Sequence, residues 1–354
     1  MTTSENPSKP KRRPRYSGKN PRRFHEKYKE LNPEKYANEI EKIKMRGATP
    51  VGTHRPICVD EILQILNPQS GQTALDVTLG YGGHTSYILP KLMPNGKMFA
   101  IDQDPIERPK TQLRLQALMN EKHFPESALT IGALNFGQAR QFLVEVGQPK
   151  VDMILADLGV SSMQIDDPQR GFSFKIDAPL DLRMNPNVGI SAADFLAQVN
   201  LAELTDILHT NADEPRAQVI AKGLIAKRPR TTFEMAAVMR EIMSGFSKKV
   251  QQEEGDAPIR RAFQALRIAI NNEFGVLDQF LKDIPLMLNP GGRVAILSFH
   301  SGEDRRVKKS FQALQRANIY SEVSPEFIRP TPEEQRNNSR SKSAKLRWAI
   351  LANN

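Results

Sequence analysis

The chain has 354 residues, of which 39% are hydrophobic and 25% charged, the make-up of a folded protein with room for two modest domains or one domain carrying an insertion. No apolar run reaches the length of a membrane span, and a single cysteine, Cys58, excludes an intrachain disulfide and a cysteine-rich metal site. The net charge is +10, but residues 1–30 hold ten Lys/Arg against three acids, so the tail carries +7 and the rest of the chain only +3.

Residues 1–30 are rich in Pro, Lys, Arg and Ser and are expected to be disordered. Such a tail suits a polyanion such as RNA through phosphate neutralisation. The alternative is an organelle transit peptide, against which stand its acids, its prolines and the lack of an apolar face. Residues 31–46 suit a short amphipathic helix, and 47–52 read as a linker. The core is expected from about His54. A helix over 59–66 stops at Asn67-Pro68. Alternating units follow: strand 73–77 and helix 83–92, strand 97–101 and helix 106–119, strand 129–131 and helix 137–146, then strand 151–157. Strands alternating with helices predict an α/β fold with a parallel, doubly wound sheet.

The alternation stops at about residue 165. From there to 256 the patterns are helical: 192–196, 201–209, 217–226 and 232–243. This predicts an all-helical insertion, either a substrate-recognition module or a structural cap. A long helical stretch over 257–288 is expected to break at Gly275 or Pro285. Then come a turn at 289–292, a strand over 293–299, a basic helix capped by Ser301-Gly302-Glu303-Asp304, and a last strand over 346–351. The predicted organisation is thus a basic tail (1–50), a core in two parts (51–164 and 257–354) and the insertion (165–256).

The chemistry concentrates at the ends of three predicted strands. Asp76 ends the first and is followed by Gly80-Tyr81-Gly82-Gly83-His84. Glycines there let the backbone approach a ligand. The third glycine of a dinucleotide fingerprint would fall at Thr85, so S-adenosylmethionine fits better than NAD. Asp102 follows the second strand, where a ribose-binding carboxylate belongs. Asp157 ends the fourth and opens the segment Asp157–Asp167. Acceptors in such a segment can orient an exocyclic amine toward a sulfonium methyl; the alternative is a Gly/Ser/Asp turn rich in local hydrogen bonds.

Longer stretches carry a resemblance. They include Asp76-Val-Thr-Leu-Gly-Tyr-Gly-Gly-His84, Ile101-Asp102-Gln-Asp104-Pro105, Leu155-Ala-Asp157-Leu-Gly-Val-Ser-Ser162 and Asp166-Asp-Pro-Gln-Arg-Gly-Phe-Ser-Phe174. Pro179-Leu-Asp-Leu-Arg-Met184, Phe263-Gln-Ala-Leu-Arg-Ile268, Ser298-Phe-His-Ser301 and Asn338–Arg347 belong with them, as does His54-Arg55-Pro56. With these the chain, over roughly residues 54–350, closely resembles the bacterial 16S ribosomal-RNA cytosine-N4 methyltransferase family, also known by the older MraW name.

The resemblance implies a class I (Rossmann-like) methyltransferase sheet with a helical insertion, S-adenosylmethionine as donor, and a cytosine in the decoding centre of the small ribosomal subunit as target. It implies cofactor contacts at Gly82, Gly83, His84, Asp102, Asp157 and Gln164, with Phe136 as the aromatic after the third strand. Asp157 is the expected catalytic residue. His300 is the one histidine placed to act as a base, its alternative being a strand-end side chain beside a helix cap. No metal and no membrane are expected, and the cytoplasm is the expected location. The competing readings are a methyltransferase on another substrate and a non-catalytic RNA-binding assembly factor. Three positions depart from the family pattern: Met163 for a usual proline, Gly302 for a usual leucine, and Ala257 for a common histidine. Arg183 and Arg267 are candidates for phosphate contact or for ion pairs, and Phe172 and Phe174 for base stacking or for core anchors.

Overall fold

A computed structural model describes residues 55–353. The expectations for the tail, for the helix over 31–46, for the linker and for His54 lie outside those residues.

The framework is a seven-stranded sheet: β1 (Thr73–Asp76), β2 (Lys97–Ile101), β3 (Leu129–Gly132), β4 (Val151–Asp157), β5 (Leu288–Ser298), β6 (Tyr320–Val323) and β7 (Lys345–Leu351). The order is β3-β2-β1-β4-β5-β7-β6. The first five strands are parallel, and β7 runs antiparallel to both β5 and β6. The central strands read as near-continuous apolar runs because both faces of the sheet are covered. Alternate side chains go to opposite faces. Leu75, Phe99, Ile154 and Ile296 enter one apolar layer, while Ala74, Met98, Leu155 and Leu297 enter the other.

The second of these layers is closed by α1 (Val59–Leu66) and α2 (Gly83–Leu92), through Ile62, Leu66, Ile88, Leu89 and Leu92. After β2, α3 (Glu107–Glu121) sets Leu115 against Leu79 and Ala100. The first layer takes Phe142 and Leu143 of α4 (Ala139–Glu145). The chain works outward from β1 to β3, then returns to lay β4 on the other side of β1. That reversal opens a crevice at the carboxyl ends of β1 and β4, where open α/β sheets bind ligands.

Beyond β4 lie α5 (Ser162–Asp166), α6 (Ala192–Gln198), α7 (Leu201–Ala212), α8 (Ala217–Lys227), α9 (Thr232–Ser244), α10 (Lys248–Glu254) and α11 (Ala257–Ile270). Their starts are written in the sequence. The side chains of Ser191, Asn200 and Thr231 accept the N–H of Asp194, Glu203 and Glu234, and Thr231 and Glu234 form a reciprocal capping box. A separate apolar core joins Leu180, Leu204, Leu208, Ile220, Leu224, Met235 and Met239 to Phe263 and Leu266. The helical core therefore runs past residue 256 into α11.

The long helical stretch breaks elsewhere than expected. After α11, α12 (Glu273–Met287) begins at a left-handed Asn272, φ 49°. Gly275 and Pro285 both lie inside α12. A Cβ on Gly275 would stand 2.5 Å from Oδ1 of Asn272, so that glycine makes room for the folded-back Asn272 side chain instead of ending a helix. The predicted turn at 289–292 is a bulge within β5: Asp152 alone faces the stretch between Leu288 and Arg293, and its Oδ1 accepts from Nδ2 of Asn289 at 2.8 Å. Helix α13 (Ser301–Arg316) covers the first layer through Val307 and Phe311, and α14 (Pro332–Asn337) precedes β7. Strand β6 was not expected: Tyr-Ser-Glu-Val is too short a pattern to read.

Candidate active site at the β1–β4 crevice

The three strand-end acids do three different things. Asp76 is 1% exposed. Its carboxylate accepts from the Thr78 N–H at 3.0 Å and the Thr85 hydroxyl at 2.7 Å, closing the glycine turn on itself. Burial pushes its carboxyl up against those hydrogen bonds. Asp76 is a fastener of the turn.

Gly80 and Gly82 have φ of 51° and 78°, which favours glycine. Close packing adds to this: a Cβ on Gly82 would meet Thr111 Cγ2 at 2.9 Å, and one on Gly83 would meet Pro56 at 2.6 Å and the Tyr81 ring at 2.7 Å. Helix α2 then starts at Gly82 with no side-chain cap, leaving its first N–H groups and the positive end of its dipole for an anion.

Asp102 follows β2 and ties two loops together. Oδ2 accepts the Gly80 N–H at 2.7 Å, and Oδ1 accepts the Asp104 N–H at 2.8 Å. Burial pushes its carboxyl up to about 6 against those two donors. Each oxygen keeps a second lone pair, as ribose hydroxyls require.

Asp157 ends β4, and its N–H donates to the Thr78 hydroxyl at 2.6 Å. Oδ2 lies 3.5 Å from Nε2 of His84, which is 7% exposed. Asp157 Oδ1 and His84 Nε2 are both buried with no hydrogen-bond partner. Two unsatisfied polar atoms in one crevice are what a polar ligand would complete. The crevice thus offers an anion-accepting helix end, an acceptor suited to ribose and an open acceptor at the reacting end. This donor set fits S-adenosylmethionine.

Beside it stands a residue to which sequence reasoning assigned no role. Asp104, 1% exposed, caps α3 by accepting from the N–H groups of Ile106 and Glu107. Its Oδ2 accepts from Nε2 of Gln164 and Nη1 of Arg170, both at 2.7 Å. Asp104-Pro105-Ile106-Glu107 carries the spacing of a helix start, the available signal. Gln164 has structural partners on both ends of its amide: its Oε1 accepts the Ser161 N–H at 2.8 Å in a capping box at the start of α5. It holds the segment after Asp157 in place, with one N–H and one lone pair of its amide not used by these two bonds. Arg170 donates onward to the carbonyls of Met184 and Arg183. Phe136 packs edge-on against Phe280 at 5.6 Å, and the Asn135–Gln103 hydrogen bond ties its loop to the Asp102 loop.

The last basic helix is capped by His300 itself and not by Ser301 as expected. His300 is the N-cap of α13, with Nδ1 accepting the Glu303 N–H at 3.4 Å and Nε2 3.2 Å from the Glu303 carboxylate. Burial pushes Glu303 up, but His300 and Arg267 outweigh it and hold that carboxyl below its usual range. Arg183 is paired with Asp181 and Arg267 with Glu273, each through two hydrogen bonds, so both cations serve the fold. Phe174 packs on Phe263 at 5.7 Å, and Phe172 lies under Arg170. Met163 is buried, and Ala257 opens α11 ahead of Pro258. At Gly302 the Phe274 ring occupies the room a side chain would need, 2.6 Å from a built Cβ. The Asn338–Arg347 motif is structural: Arg340 pairs with Asp166, and Lys345 and Arg347 pair with Asp304.

Comparison with known proteins gives the family. The chain is 49% identical over 349 residues to ribosomal RNA small subunit methyltransferase H 2 of Alkaliphilus metalliredigens, covering 97% of this chain and 98% of that one. It is 51% identical to ribosomal RNA small subunit methyltransferase H 1 of Lachnoclostridium phytofermentans, covering 97% and 93%. A solved S-adenosylmethionine-dependent O-methyltransferase from Thermotoga maritima is similar at 12% identity and a TM-score of 0.39, covering 88% of this chain and 71% of that one. The MraW methylase family matches residues 52–351. The chain belongs to the MraW methylase family and is a methyltransferase that uses S-adenosylmethionine.

Proposed function

We propose that the protein methylates the exocyclic N4 of a cytosine in the decoding centre of small-subunit ribosomal RNA, in the cytoplasm. The observation that carries the reading is the open Asp157 carboxylate at the end of β4, with His84 beside it and an uncapped helix start opposite. When bound, the cofactor supplies an electrophilic methyl on a sulfonium. Asp102 would hold the ribose hydroxyls, and the α2 N-terminus would hold the carboxylate end. Cytosine N4 is a poor nucleophile because its lone pair is delocalised into the ring. Asp157 Oδ1 accepts one N4–H bond, which orients the amine and draws electron density onto nitrogen. An amine held in this way would be aimed at that methyl, and its surplus N4 proton would pass to solvent once the methyl is transferred. Gln164, within the Asp157–Asp167 segment, and Arg170, just beyond it, act at one remove by fixing this part of the chain to Asp104. The helical module is proposed to receive the RNA.

The test is mass spectrometry of decoding-centre RNA from cells with and without this gene. N4-methylcytidine should disappear with the gene; an unchanged signal refutes the reading.

A further inference from the structure

The helical module commits most of its guanidinium groups internally. Arg183 pairs with Asp181, Arg216 with Glu254, Arg261 with Glu214 and Glu254, and Arg267 with Glu273. Lys175, Arg240 and Arg260 differ. All three are exposed, and no carboxylate of the described residues pairs with them. They converge on one open cavity of about 730 Å³, whose other walls are Phe174, Phe233, Ala237 and Asp256. Its volume lies within the roughly 300–1,000 Å³ of small-molecule sites. One acid against three cations leaves the site positive. Phe174 is held rigid by the Phe263 ring below it, whereas Phe233 stays 48% exposed on the second turn position of α9.

A half-exposed aromatic thus stands beside three cations that no carboxylate of the described residues pairs with. A flat π face next to mobile positive charge is what an unpaired nucleotide requires, one for the base and the other for its phosphates. The cavity is also joined to the reaction centre by chain. Phe174 and Lys175 end the segment that starts at Asp157 and is clamped midway by Arg170 on Asp104.

The geometry points to a second RNA-binding site: this cavity takes an unpaired nucleotide of the substrate RNA, flanking the target base. The base stacks on Phe233 above Phe174, and Lys175, Arg240 and Arg260 hold its phosphates. The assignment rests on the RNA reading given above. The site would lengthen the protein's grip on its substrate beyond the reaction centre.

The experiment uses the full chain and three probes: a short single-stranded oligoribonucleotide, naked small-subunit RNA, and the assembled small subunit. Phe233→Ala should weaken RNA binding by roughly 5- to 150-fold and leave its salt dependence unchanged. The triple variant Lys175→Ala, Arg240→Ala, Arg260→Ala should flatten the slope of log affinity against log salt by about 2–3. Calorimetry with S-adenosylmethionine should match the unaltered protein for both variants, since none of these side chains reaches the β1–β4 crevice residues. Wild-type affinity and slope in both variants would overturn the site. So would loss of affinity for the assembled subunit alone, which would make the occupant a ribosomal protein, or failure of the unaltered protein to bind the oligoribonucleotide. Methylation elsewhere than at cytosine N4, with the variant effects intact, would overturn the proposed target and leave the site standing.

Discussion

Asp102 sits between burial, which raises its carboxyl to about 6, and two backbone donors that favour its charged form. Its folded value lies above the ordinary carboxylate value of about 4. Between those two values the folded state binds more protons than the unfolded one, so this group's contribution to stability declines as pH rises through that window. Cofactor binding runs the other way, because only the carboxylate accepts from both hydroxyls. Affinity for S-adenosylmethionine should be flat above about pH 6 and fall up to about tenfold per unit below it. Calorimetric titration of Asp102→Asn should show weaker binding and a flattened pH dependence; an unaltered slope would assign the titration elsewhere. Asp157 makes a complementary case. Its Oδ1 has no partner in the fold, so Asp157→Ala removes no internal hydrogen bond of that atom and should leave the melting temperature close to normal. Turnover at saturating cofactor should fall on the order of 100-fold. Asp157→Asn keeps an acceptor without the charge and separates orientation from electrostatics. Normal turnover in both variants would remove Asp157 from the reaction. The acids at strand ends and the expected roles of Asp102 and Asp157 were legible in the sequence, but the division between Asp76, which fastens the turn, and Asp157, whose Oδ1 has no partner, was not. That division depends on which donors the neighbouring loops bring within reach.

Between elements, the Asp104–Arg170 pair is the decisive contact. It joins the start of α3, the capping box of α5 and the chain at Met184, with both side chains nearly inaccessible. Arg170→Ala leaves the buried Asp104 carboxylate without its counter-charge and takes a donor from two carbonyls, and should destabilise the protein by about 3–5 kcal/mol. Arg340→Ala breaks a half-exposed pair with Asp166 and should cost about 0–1 kcal/mol. Denaturant unfolding followed by circular dichroism compares them; equal costs would deny Arg170 its special place. Helix starts were readable where a Ser, Asn or Thr cap precedes the apolar period, as at Ser191, Asn200 and Thr231. The break between α11 and α12 was not. Gly275 and Pro285 look like breakers, yet the chain turns at Asn272, whose side chain packs over Gly275. Local propensity named the breakers, and tertiary packing chose another residue.

At the scale of the whole molecule, the +7 tail extends a body of charge +3. Matches of 97% of this chain to the bacterial methyltransferases reach well into the first fifty residues, whereas relatives at 35–37% identity cover 84–85% of it. The match to these relatives therefore takes in part of the basic tail. Deleting residues 1–30 should leave cofactor binding unchanged and weaken RNA binding most at low salt. If about half of its ten basic groups meet phosphates, the salt slope on single-stranded RNA should flatten by roughly 3–4. An unchanged slope would leave the tail without a role in RNA binding. The sequence by itself determined the alternating α/β order, the glycine turn, the strand-end acids and the family, because periodicity, turn chemistry and motif spacing are local along the chain. Only the tertiary structure decided the rest: the bulge in β5, edge strand β6, the helical core running past residue 256, the capping role of His300, and the pairing of Arg183 and Arg267. It also left Lys175, Arg240 and Arg260 unpaired around one cavity. A side chain's partner is set by which distant segments the fold brings within about 3 Å of it, and nothing in the spacing of neighbours along the chain records that.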